Sequence, residues 1–199
     1  ASSGFARPRV VTTNTIVHDL VVGVGGADVE AECLLPVGSD PHVFSPTPAQ
    51  VRVIASADLV VMNGLGFETW IEKLVRNSGF KGPVAAAAQV EAIEGACEDH
   101  DHTGHDHGPA DPHAWHDARN ISLYVTAIES ALSALHPEAA PRFAERARAI
   151  RQEWAALHAY AIRRFSEIPP ERRRLVTSHD SLRYLARAYG FEVLPISGV

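Results

Sequence analysis

Three short segments hold the side chains best placed to do chemistry. Asp40-Pro41-His42 and Asp111-Pro112-His113 repeat one tripeptide, and Ser178-His179-Asp180 supplies a third imidazole. Proline ahead of histidine restricts the local backbone and helps fix where the ring points. Neutral imidazole suits zinc at about 2.0 Å, and three such rings leave one tetrahedral position for a further ligand. Taken singly, each histidine reads better as a hydrogen-bonded loop residue. The repeated Asp-Pro-His setting, joined by the third loop, shifts the reading to a metal site built from His42, His113 and His179. Asp40, Asp111 and Asp180 are candidates for orienting those loops or rings, and equally serve as turn formers or caps. His116 reads as a surface residue at a helix entrance.

These loops need a scaffold, and the chain predicts one by alternating strand and helix. Val10 to Thr12 reads as a strand, with Asn14 capping a helix whose apolar stripe is Ile16, Leu20, Val21 and Val24, stopped at Gly25-Gly26. A second strand follows over 29–35. A helix starts near Pro48 with Thr47 as cap, and the apolar run after Asp58 suits a buried parallel strand. Phe67 to Asn77 reads as helical, with Glu68 near its start accounted for by the helix dipole. Gly82-Pro83-Val84 leads into another strand. This alternation indicates an α/β layer with a parallel sheet, where ligands gather beyond the carboxyl ends of strands.

After residue 94 the pattern changes. The segment 98–107 carries His100, His102, His105 and His107 without apolar periodicity, and reads as a solvated loop. Ile121, Val125, Ile128, Leu132 and Leu135 then form one helical stripe, capped by Asp117 or Asn120. Phe143 to Phe165 forms a longer one, stopped by Pro169-Pro170. A last strand–helix–strand unit runs from Leu175 to Ile196. So small a unit cannot bury its own faces. It docks on the first sheet, or a partner or further chain completes it; the last is favoured.

Composition sets the outer bounds. With 199 residues, 46% hydrophobic and 21% charged, the chain can build a sizeable core and is not generally disordered. Its formal charge of -6 argues against a nucleic-acid partner, and no apolar run is long enough to cross a bilayer. Eleven histidines against one methionine is an unusual balance. Cys33 and Cys97 are either two free thiols or one long-loop disulfide of an oxidising compartment. The start, Ala1-Ser2-Ser3-Gly4, shows neither a signal region nor a lipid-anchored cysteine and is compatible with a mature end.

The stretch from Leu35 to Pro48, containing Asp-Pro-His42-Val-Phe-Ser-Pro-Thr-Pro, resembles the first ligand loop of the periplasmic zinc- and manganese-binding proteins that serve ABC importers. Ala57-Asp-Leu-Val-Val-Met-Asn-Gly64, Asp111-Pro-His-Ala-Trp115 with Asp117, and Ser178-His-Asp resemble that family's later landmarks in order. The resemblance implies an α/β fold of two lobes, with parallel sheets and flanking helices joined by one long helix. Residues 1–137 would form the first lobe, 138–168 the connecting helix, and 169–199 the start of an incomplete second lobe. It also implies metal held in the cleft by His42, His113 and His179, with a fourth, carboxylate ligand beyond residue 199. Histidine rather than glutamate at 179 favours zinc, and the run at 100–107 resembles the insertion of zinc-specific members. That run would be a low-affinity collector passing metal to the main site or taking it from a periplasmic metallochaperone. The implied role is a monomeric, periplasmic zinc-capture protein, not embedded in the membrane, delivering to an ABC-type permease.

The rival class is a zinc-dependent hydrolase with a three-histidine open site. Against it, there is no His-Glu-x-x-His and no Gly-x-Ser-x-Gly, and Ser178-His179-Asp180 are mere sequence neighbours. A manganese-binding homologue or adhesin shares the fold and remains the other alternative. Only neutral imidazole ligates, so binding is expected to weaken with acid.

Overall fold

The structure, a computed structural model, describes residues 6–42, 44–94 and 110–196. Its first half is built as the alternation predicts. Strand β1 (Arg9–Thr12) leads to helix α1 (Thr15–Gly25), where the Asn14 side chain accepts from the backbone N–H groups of Ile16 and Val17. Gly26, at a φ of 54°, turns the chain out of that helix into β2 (Glu30–Cys33). Helix α2 (Pro48–Ala55) opens with Pro48 in its first turn and the Gln50 side chain accepting from Thr47 N–H. Strand β3 (Leu59–Met62), helix α3 (Ile71–Ser78) and strand β4 (Val84–Ala86) follow.

The four strands are all parallel and lie in the order β2-β1-β3-β4. The chain runs outward from β1 to β2, then crosses back to β3, so connections leave β1 and β3 in opposite directions. That reversal opens a crevice at the carboxyl ends of the strands. Alternation along each strand feeds two cores. Val10, Leu59 and Val61 point to one face, under α1 and α4 (Ala118–Leu135). Val11 and Val60 point to the other, under α2 and α3. Coverage on both sides explains why β3 is an unbroken apolar run.

Helix α3 begins at Ile71, four residues later than predicted. Gly64, Leu65 and Gly66 all have positive φ, at 90°, 57° and 77°, which no right-handed helix can contain. Phe67 and Glu68 belong to the resulting turn.

Asp117 rather than Asn120 caps α4, accepting from Arg119 N–H at 2.9 Å. Helix α5 (Ala140–Ser166) has 27 residues, about 40 Å at 1.5 Å per residue. Its predicted apolar stripe is buried only at the amino-terminal half, at Phe143 and Ala147; Leu157 remains 46% exposed. Arg142 and Arg146 rivet that half to the loop after α1 through Asp28, and Arg146 also donates to the Val24 and Gly25 carbonyls. Beyond α5, β5 (Arg174–Thr177) and β6 (Glu192–Pro195) pair in parallel as a separate two-stranded sheet, linked by α6 (Arg183–Tyr189). They do not extend the first sheet. No helix among the described residues is long and apolar enough to cross a membrane.

Candidate metal centre

The three loops singled out in the sequence meet. His42 follows β2, His113 precedes α4, and His179 follows β5, yet one nitrogen from each ring lies within 4.8 Å of the others. Ring centroids are 5.4 Å apart for His42–His113 and His113–His179, and 5.9 Å for His42–His179. Nitrogens bonded to a tetrahedral ion at about 2.0–2.1 Å stand roughly 3.3–3.4 Å apart. The Nε2 atoms of His42 and His113 stand 3.4 Å apart.

The repeated Asp-Pro-His works as a turn. Asp40 Oδ1 accepts from His42 N–H at 2.9 Å, and Asp111 Oδ1 accepts from His113 N–H at the same distance. Asp111 does more, because the same oxygen lies 2.8 Å from His113 Nδ1. A carboxylate there assigns the proton to Nδ1 and turns the Nε2 lone pair toward the centre. The third aspartate differs: Asp180 lies 3.5 Å from Arg183 Nε. The His42 loop is further pinned by Trp70, whose indole N–H donates to the Pro41 carbonyl at 3.2 Å. Phe67 stands edge-on to His42 and packs against Trp115, giving the centre an apolar wall.

Two expectations need correction. His116 is not a plain surface residue; it is half-buried and lines the same cavity of about 360 Å³ as the three rings. It sits in a 3₁₀ turn, Ala114–His116, in which its N–H donates to the His113 carbonyl at 3.3 Å and its ring lies 5.5 Å from that of Trp115. Burial, then the neighbouring His113, pushes its pKa down to about 4, so its ring is neutral at pH 7. It does not belong to the group whose nitrogens converge.

Glu68, in turn, has nothing to do with a helix dipole. It is 4% exposed and accepts from Thr13 Oγ1 at 2.5 Å, Asn14 Nδ2 at 3.1 Å, Asn63 N–H at 2.7 Å and Gly64 N–H at 3.1 Å. One carboxylate therefore ties the carboxyl end of β1 to that of β3. Burial pushes its pKa up, against the pull of those four donors. Asn63 extends the network: its Nδ2 donates to the Pro112 carbonyl at 3.1 Å, and its Oδ1 accepts from Tyr124 at 2.8 Å. The loop of His113 thus rests on a buried polar network that the sequence reading did not anticipate, having given Glu68 and Asn14 only local roles. A Thr-Asn pair closing one strand and an Asn closing the next were the available signal.

His100, His102, His105 and His107 lie outside the described residues, as does Cys97. The pairing of Cys97 with Cys33 is therefore not described. Burial raises the pKa of the Cys33 thiol, which donates to the Leu35 carbonyl at 3.5 Å.

A profile of the ZnuA family, zinc-uptake complex component A, periplasmic, matches residues 10–199. The chain belongs to the ZnuA family. Among ZnuA-like relatives, the zinc-binding protein TroA of Treponema pallidum is 35% identical over 193 residues, covering 97% of this chain and 61% of the relative. Its solved structure superposes with a TM-score of 0.82 at 33% identity, covering 96% of this chain and 66% of that one. The manganese-binding lipoprotein MntA of Halalkalibacterium halodurans is 30% identical over 188 residues, covering 94% of this chain and 60% of the relative. Zn(II)-bound AdcA of Streptococcus pneumoniae superposes with a TM-score of 0.84 at 27% identity, covering 98% of this chain and 40% of that structure. The chain thus spans about three fifths of the length of these curated ZnuA-type relatives. The names of these relatives describe binding proteins and divide between zinc and manganese.

Proposed function

We propose that this chain captures zinc in the periplasm through His42, His113 and His179 and passes it to an ABC-type permease. The observation that carries this reading is the convergence of three imidazole nitrogens within 4.8 Å at the carboxyl end of a parallel sheet. An all-nitrogen donor set favours zinc over manganese, which sits lower in the affinity order and prefers oxygen. The 3.4 Å separation of the two Nε2 atoms supports tetrahedral coordination, and a further ligand or water takes the fourth position. In this reading residues 1–137 form one lobe, 138–168 the connecting helix, and 169–199 part of a second lobe. The protein acts as a monomer, and the segment with His100, His102, His105 and His107 gathers metal from solution or from a metallochaperone.

The manganese reading is favoured by the similarity to manganese-binding relatives such as MntA. Titration calorimetry with zinc and with manganese separates the two. One zinc per chain is expected, bound at least 100-fold more tightly than manganese. His42→Ala, His113→Ala and His179→Ala are each expected to weaken zinc binding far more than His102→Ala. Tighter manganese binding transfers the role to that ion, and losses from His102→Ala equal to those at the three sites overturn the ligand assignment.

A further inference from the structure

We propose that Tyr184 is a positioning residue for this centre, its hydroxyl fastening the unit that carries His179 to the paired stem that leads into His113. The inference rests on the zinc-capture reading and adds a device to it. Tyr184 lies in α6, five residues after His179, but its ring is fully buried in the core of the first sheet rather than against its own. There its hydroxyl accepts from Ile93 N–H at 3.0 Å and donates to the Asp111 carbonyl at 3.0 Å.

Those two backbone groups sit on adjoining legs of one stem. Asp111 N–H donates to the Ile93 carbonyl at 2.8 Å, and Glu94 pairs with Ala110 in an antiparallel bridge. One phenol therefore clasps both legs at once. Asp111 is also the residue whose carboxylate holds the His113 ring. The preceding residue strengthens the grip, since Arg183 donates to the Glu94 carbonyl and stands 3.5 Å from Asp180, next to His179. The path from one ring to the other is short: His179, Asp180, Arg183 with Tyr184, Asp111, His113. A clasp of this kind holds the third imidazole near the other two before metal arrives, which lowers the cost of assembling the site.

Tyr184→Phe keeps the ring in the core and removes both hydrogen bonds. Zinc release, followed by stopped-flow transfer to a chelator in excess, is expected to quicken by about tenfold, the low end of effects seen when a group supporting a ligand is lost. In a His179→Ala background the same change is expected to leave release of the remaining weakly held zinc within about twofold, because the clasp acts through His179. Arg183→Ala, which loosens the grip from the surface, is expected to move release in the same direction. Release from Tyr184→Phe at the parent rate overturns the proposal. So does equal quickening in both backgrounds, which is the mark of a general packing role. A parent chain that binds no zinc overturns the capture reading itself, and that result is distinct from the other two.

Discussion

Glu68 stitches two strand ends together with a single side chain, and truncating it strands four donors at once. Glu68→Ala is expected to cost about 2–4 kcal/mol, read as a lowered urea midpoint, because Thr13, Asn14, Asn63 and Gly64 lose a buried acceptor. At this scale the chain was legible where the chemistry is local. Asp40 and Asp111 reach the backbone two residues on, so a tripeptide carried the message. Glu68 was not legible, because its partners Thr13 and Asn14 lie more than 50 residues away and only the folded sheet brings them near. His116 failed for a subtler reason. A helical entrance suggested a solvent-facing ring, whereas the tighter 3₁₀ turn places it in the cavity that the three rings line.

Helix α5 shows how an element divides its work. Its amino-terminal half is held by an acid, Asp28, shared between two guanidinium groups. The Arg142 and Arg146 hydrogen bonds hold the Asp28 carboxyl well below the usual carboxylate range. A depressed carboxyl stabilises the fold fully above its unfolded value of 3.8 and loses that contribution as pH falls through the folded value. Asp28→Asn is therefore expected to lower stability by about 1 kcal/mol at pH 7 and by less in strong acid, measured by denaturant titration at both pH values. The strands and helices themselves followed from periodicity and caps, as at Asn14 and Thr47. Periodicity overreached at α5, whose stripe continues past Ala147 although Leu157 stays exposed. A stripe records which face is apolar and says nothing of what lies opposite. At α3 three positive φ values in a row displaced the start, a backbone property that the propensity of Phe67 and Glu68 did not reveal.

On the scale of the whole molecule, the sheet order gathers the loops after β2 and β3 at one end, and the long helix carries the β5–β6 unit back to meet them. Alternating strands and helices made the first sheet legible. The meeting of His179 with the other two rings rested in the sequence on its place after a strand, beside the repeated Asp-Pro-His, and on the family resemblance; the distance between the rings is a property of the folded chain. Indole rings belong to the same gathering: Trp70 bonds the loop of His42, and Trp115 stands 5.3 Å from the ring of His113. Two of the three tryptophans thus border the centre. Occupancy by an ion that stiffens these loops is expected to change the intrinsic emission, and an emission trace unaltered by saturating zinc would contradict that placement. If the emission does respond, the protein carries its own optical gauge, and loading and unloading can be timed on unlabelled material.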